Sequence, residues 1–520
     1  MNKDIRNTGY HAIRWNEPVI MEMSKAGRRG IILFPPISEM LFAQQGLLSD
    51  LIPEGMQRIG ALELPELSEP DVLRHYLHLS QETLGMMGVN LFGTCTMKYN
   101  PRLNELLVGR PEVAETHPLQ DQSTIQGTLQ IIYEFNEMLC QLSGMSQFTF
   151  QPAGGADAAY THNCVTRAWL QSKGELGKRD EIITTIQSHP CNPATAATAG
   201  FKVITLPLGP DGYPTLEALK AAVSDRTAAL MLNNPDDMGI YNPNIKQWIE
   251  IVHDAGGLCF YDHANFNGVM GRIRARELGF DACMFMLHKT FGVPKGGGGP
   301  ALGAYGCSEE LAQFLPKPQV TFDGKHYHLK QDAPYAIEKV REFLGNIPII
   351  IKAYAWTLAM GLEGIKEAAD LSVLGNNYME KRLMTLRGVN RSHEHLKVRR
   401  LEMTRFSVQK LFEDTGVTTF DIQARMTDFG IDAYWLSHEP WLVPQPFTPE
   451  AGEMWSKEDL DKWVDVLEII IDEAYSHPEI VKTAPHCQVV HRVNEAEMED
   501  PEKWAITWRA YKRKILKQQI

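Results

Sequence analysis

Between Glu181 and Leu287 the chain alternates two periodicities. Short apolar runs at Ile182–Ile186, Val203–Leu206, Ala228–Leu232, Leu258–Tyr261 and Ala282–Leu287 are separated by polar stretches, several with apolar positions three or four apart. Runs of this length bounded by turn residues predict buried strands, and the 3.6-residue spacing predicts helices at Thr215–Val223 and Asn244–Ala255. The alternation implies a mostly parallel sheet with helices on both faces. Upstream, Ile125, Leu129, Ile132, Phe135, Met138, Leu139 and Leu142 fall on one face of a helix expected over Thr124–Gly144, with Gly144 as its C-cap. Past Leu344 the rhythm changes. Helices are expected at Pro348–Gly361, Ile365–Leu386, Phe420–Phe429 and Lys457–Ser476, with a basic loop at Arg391–Arg400, giving a smaller α+β domain.

The flanks lack this patterning. Residues 1–85 are broken by Pro35, Pro36, Pro53, Pro65 and Pro70 and read as an extended arm that wraps a partner subunit or its own core. The expected division is an arm at 1–85, a large cofactor-binding α/β domain at 86–343, a small C-terminal domain at 344–490 and a charged tail at 491–520.

The net charge of −13 over 520 residues argues against nucleic acid or anionic membrane as the main partner. The eight cysteines are scattered without a CxxC pair, as in a reduced cytoplasmic protein rather than a disulfide scaffold or a zinc site. The N-terminus has no secretory pattern, and no window is apolar and long enough to cross a bilayer.

Function in parallel sheets gathers at the carboxyl ends of strands, and four of those ends carry polar clusters. They are Ser188-His189 with Asn192-Pro193, then Asn233-Asn234-Pro235-Asp236, then Asp262-His263-Ala264-Asn265, then His288-Lys289. Each has a plainer role when taken singly: a loop histidine, a turn starter, a cap, a surface lysine beside the glycine run Gly296–Gly299. Together with the small-residue turn Gly154-Gly155-Ala156, which opens into a helix and suits one phosphate, they fit pyridoxal phosphate. That cofactor needs an amine for its aldehyde and a carboxylate to keep its ring nitrogen protonated. Lys289 and Asp262, 27 positions earlier, are the candidates. His189 would lie over the ring, Ala264 beneath it, and Asn234 would bond the ring hydroxyl; His288 adjoins the amine.

Longer stretches carry a resemblance. ELSEPDVLRHYLHLSQ (66–81), GTCTMKYNPRLNE (93–105), AGGLCFYDHANFN (255–267) and GFDACMFMLHKTFGVPKGGGGP (279–300) make the sequence similar to subunit 2 of the glycine cleavage system P-protein. The resemblance covers nearly the whole chain. It implies the aspartate-aminotransferase type of pyridoxal-phosphate fold and an aminomethyl-transferring glycine dehydrogenase, an oxidoreductase. It further implies an oligomer with a homologous subunit 1 and a lipoylated carrier protein as partners. By position, Lys289 resembles the Schiff-base lysine, Asp262 the ring-nitrogen aspartate, His189 the stacking histidine, and 153–157 the phosphate cup. The chain departs from the family pattern at Asp157, Ala159, Pro190, Cys191, Asp236, Asp237 and Arg405. Two readings follow. One is the glycine enzyme. The other is a paralogous decarboxylase, lyase or transaminase acting on a different amino acid, with Arg405 binding a second carboxylate. Asp157 is expected to point away from a phosphate. Retention of Lys289 and Asp262 speaks against a purely structural subunit.

Overall fold

The computed structural model describes residues 13–28, 39–44, 48–60, 62–82, 101–117, 120–293, 301–431, 440–489 and 491–516, with positions 30, 46, 89, 91 and 437. The glycine run Gly296–Gly299 and residues 93–96 of the GTCTMKYNPRLNE stretch lie outside the described residues. Among those described, two compact units separate: one drawn from 89–426 and 433–482, the other from 7–88, 427–432 and 483–520. The first unit holds the stretch expected as the large domain and most of the stretch expected as the small one.

A seven-stranded sheet organises the first unit. Its strands are β1 (Gln147–Thr149), β2 (Glu181–Thr185), β3 (Lys202–Leu206), β4 (Thr227–Asn233), β5 (Leu258–His263), β6 (Ala282–Met286) and β7 (Gly303–Cys307), in the order β1-β7-β6-β5-β4-β2-β3. β3, β2, β4, β5 and β6 are mutually parallel, and β7 runs antiparallel between β6 and β1. All five apolar runs are strands of this sheet.

Successive strand residues face opposite sides, and the cores obey that rule. Leu230, Leu232, Cys259, Tyr261, Cys283 and Phe285 pack with helices Gln126–Ser143, Ile245–Asp254 and Ile347–Leu383. Met231, Leu258, Phe260, Met284 and Met286 pack on the other side with helices Gly155–Ser172 and Cys191–Thr198. The apolar stripe of Gln126–Ser143 explains its seat. Leu129, Phe135 and Leu139 are fully buried, each contributing about 1.5–3 kcal/mol of transfer free energy. The helix stops at Gly144, whose φ of 78° suits glycine and whose N–H bonds Cys140 O at 2.7 Å.

The two helices expected at 348–361 and 365–386 form one span, Ile347–Leu383, broken at Gly361 (φ 60°, ψ −179°). Beyond it, short strands Asn390–Arg391, Phe406–Ser407 and Pro446–Phe447 form a small sheet beside Lys457–Ser476, a helix opened by a Ser456–Asp459 capping box. The second unit, described by itself, is less extended than an arm with little pattern would be. Ser68 and Asp71 form a capping box, with proline in the first turn, and start the helix Glu69–Gln81. Lys512 in the tail pairs with Glu63 at 2.8 Å rather than standing free in solvent.

Candidate active site

Alternation puts Asp262 on the side of Phe260, facing helices Gly155–Ser172 and Cys191–Thr198. It is 1% exposed. Oδ1 accepts from Ala264 N at 2.9 Å and Oδ2 from Asn192 Nδ2 at 3.1 Å. Burial pushes the carboxyl up to about 6, opposed by the Ala264 N–H, the nearby Lys289 charge and Asn192. Lys289 is 4% exposed in a tight turn after β6, its N–H bonding Met286 O at 3.0 Å. The structure therefore brings the buried amine and the buried carboxylate into electrostatic contact at neighbouring strand ends.

His288 is half-buried; its Nδ1 lies 3.2 Å from Leu302 O, and burial followed by the Lys289 charge lowers it to about 4. His189 ends the turn after β2, half-buried, its Nδ1 accepting from Cys191 N at 3.1 Å. Ala264, 1% exposed, follows Asp262 on the same core face.

The small-residue turn opens the 18-residue helix Gly155–Ser172 with Gly154 as N-cap and no side chain capping it. Its first backbone N–H groups are thus left for an anion. A Cβ on Gly155 would lie 2.1 Å from Met286 Cε, so a larger residue there would have to displace the end of that methionine. Ala156 is exposed. Asp157 turns back to accept from Ala153 N at 3.1 Å and lies 3.8 Å from Arg341 Nε, so its carboxylate takes up one backbone N–H of the 153–157 turn itself. A buried amine, a buried carboxylate and an uncapped helix start fit an aldehyde-bearing phosphate ester.

Asn234, the residue after β4, has its amide engaged with Asn242. Its Oδ1 accepts from Asn242 N at 2.8 Å and its Nδ2 donates to Asn242 O at 3.4 Å. Asn233, one residue earlier, shares the parity of Asp262.

The departures at Asp236, Asp237 and Arg405 meet in one buried cluster. Asn233 and Asn265 both donate to Asp237 Oδ1 at 2.9 Å. Asp236 Oδ1 accepts from Met238 N and Ile240 N at 2.9 and 3.0 Å. Arg405, fully buried, donates to Asp237 O at 3.2 Å and to Thr448 Oγ1 at 3.3 Å. Arg400, equally buried, donates to Ser392 O at 2.8 Å. Leu401 N bonds Gly239 O at 3.2 Å, and a Cβ on Gly239 would sit 1.9 Å from Met403 O, so only glycine allows this approach. Glu402, missed by sequence reasoning, completes the cluster; it is fully buried, with its carboxyl against Gly268. At Cys191, burial and then the Asp262 charge raise the thiol far above its ordinary value, so it stays a protonated, inert side chain.

Three carboxyls thus face two guanidiniums. Burial raises Glu402 to about 8 and Asp236 to about 7, with Asp237 adding to both. A carboxyl raised in the folded state holds a proton that the unfolded chain gives up at lower pH. Its stabilisation is complete below about pH 4, falls from there through pH 8, and then levels. The melting temperature is expected to fall between pH 5 and pH 8, and Glu402→Gln, which cannot ionise, should flatten that slope. Parallel slopes for the two proteins in calorimetry would contradict this assignment.

Comparison with known proteins agrees with this geometry. The Aminotransferase class-V family matches residues 155–421. A probable glycine dehydrogenase (decarboxylating) subunit 2 of Pyrococcus abyssi is 42% identical over 506 residues, covering 97% of this chain and 98% of that protein. The protein of the same name from Caldanaerobacter subterraneus is 40% identical, covering 92% and 96%. Among solved structures, the glycine decarboxylase (P-protein) of the glycine cleavage system in inhibitor-bound form aligns with a TM-score of 0.70 at 21% identity. It covers 84% of this chain and all of that one, a likeness of fold. The cysteine desulfurase CsdA from Escherichia coli aligns at 0.55 and 17% identity over 74% of this chain and 95% of that one. On identity and coverage, the chain belongs to the glycine dehydrogenase (decarboxylating) subunit 2 family.

Proposed function

We propose that this chain is the pyridoxal-phosphate-binding subunit 2 of a two-subunit glycine dehydrogenase. It decarboxylates glycine and passes the aminomethyl group to the lipoyl arm of a carrier protein. The observation that carries the reading is the buried pair Lys289 and Asp262 beside the uncapped helix start at Gly154. Family membership supports glycine as the substrate and a subunit 1 as partner; the lipoylated carrier, the oligomer and a cytoplasmic setting are part of the same proposal.

Bound there, pyridoxal phosphate supplies an aldehyde that condenses with amines and a ring that accepts the electron pair left when carbon dioxide departs. Lys289 would be the amine that holds the aldehyde. Asp262, with its carboxyl near 6, is mostly ionised at neutral pH and pairs with the protonated ring nitrogen. Backbone N–H groups of Gly155 and Ala156, with Gly154 giving room, hold the phosphate. His189 would cover one ring face and Ala264 would leave space at the other, while His288 stays neutral beside Lys289. Arg405 donates to Asp237 O and Thr448 Oγ1 inside the cluster.

The purified chain, mixed with its subunit 1 partner and a lipoylated carrier, should exchange label between bicarbonate and the glycine carboxyl. Absence of exchange with glycine, alongside turnover of another amino acid, would reject glycine as the substrate.

A further inference from the structure

Asn192 lies in the first turn of helix Cys191–Thr198 and is fully buried. Its Nδ2 donates to Asp262 Oδ2 at 3.1 Å and to Ser188 Oγ at 2.7 Å. Both hydrogens of one amide nitrogen are therefore engaged. Chemistry assigns the amide's orientation, because an ionised carboxylate accepts and cannot donate. Asn192 N also bonds His189 O at 3.0 Å, so one residue ties the His189 turn to the carboxylate two strands away. On the other side of Asp262, Oδ1 is held by Ala264 N.

We infer that Asn192 is a positioning residue for Asp262, fixing the plane of its carboxylate and favouring its ionised form, with Ser188 holding Asn192 in turn. This rests on the reading of Asp262 as the cofactor's ring-nitrogen partner. The groups facing Asp262 are Lys289 after β6, Asp237 from the loop after β4, Cys191 beside Asn192, and Ala264 N–H just past the end of β5. Lys289, Ala264 N–H and Asn192 favour the carboxylate, whereas burial and Asp237 oppose it. With Asn192 gone, the opposing influences gain, and Asp262 takes up its proton at higher pH.

The test uses the full-length chain loaded with pyridoxal phosphate, its partner subunit and a lipoylated carrier. Asn192→Ala should still bind cofactor, lose about 10- to 100-fold in kcat with KM for glycine little changed, and show two alkaline shifts of about one pH unit. One is in the acid limb of the rate profile, the other in the pH titration of the bound cofactor's visible absorbance. Ser188→Ala should move both in the same direction by less, and it decides the matter if Asn192→Ala does not fold. If both the limb and the titration stay at their wild-type positions in the folded variant, the inference is overturned. A wild-type chain that takes up no cofactor would instead sink the underlying reading, so the two failures are distinguishable.

Discussion

Lys289→Ala is expected to abolish turnover, by about 10³- to 10⁴-fold or more, while leaving the fold intact. The side chain is 4% exposed, and its replacement removes a charge from a dry site without opening a helix or a sheet ladder. Two roles are combined in that amine, a covalent one and an electrostatic one. The electrostatic role is visible in its effect on Asp262, whose carboxyl Lys289 pulls toward the ionised form. Lys289→Arg separates the two, because a guanidinium keeps the positive charge yet does not condense with an aldehyde. Both variants should lose activity, but only Lys289→Ala should raise the pH at which Asp262 protonates. Borohydride treatment of the loaded wild type should fix the cofactor covalently to the peptide carrying Lys289. Recovery of the label on another lysine, or a Lys289→Ala protein with ordinary turnover, would remove this residue from the mechanism.

What the sequence disclosed followed from local periodicity. Four of the apolar runs became β2, β4, β5 and β6, strands buried on both faces and so continuously apolar, a signal contained within a few residues, whereas Val203–Leu206 became the partly exposed edge strand β3. Helices such as Lys457–Ser476 were bounded by caps and stripes of equally short range. Lys289 and Asp262 were legible because topology sends parallel strand ends to one edge. Asn234 shows where that reasoning stops. Dipeptide chemistry does not tell that the Asn234 amide is engaged with Asn242, eight positions on. Asn192 read as one polar residue in a turn, because its partner Asp262 lies 70 positions away. The cluster was still less visible. Asp236, Asp237 and Arg405 looked like separate oddities, and Glu402 like nothing, until the fold placed residues 236–239 against 400–405.

That cluster sets the second large effect. Arg405→Met is expected to destabilise the protein by about 3–5 kcal/mol, the range for removing one partner from a buried charged network. The loss has identifiable parts. Asp237 O and Thr448 lose a donor, and Asp236 loses the guanidinium that opposes its protonation. Methionine fills most of the volume, so a cavity contributes little. The destabilisation should grow as pH rises, because Asp236, left beside Asp237, is then asked to ionise with less compensation. Adding Asp236→Asn to Arg405→Met should recover part of the loss, a coupling that a double-mutant cycle in denaturant measures directly. The same variant separates two roles for Arg405. A residue that gripped a second substrate carboxylate would, on replacement, raise KM and leave the denaturation midpoint where it was. A residue that neutralises a buried acidic loop shifts the midpoint, and the remaining folded enzyme keeps its KM for glycine. The contacts of Arg405 with Asp237 and Thr448 lead to the second outcome, which would make the acidic loop and its arginine one compensated unit of the fold.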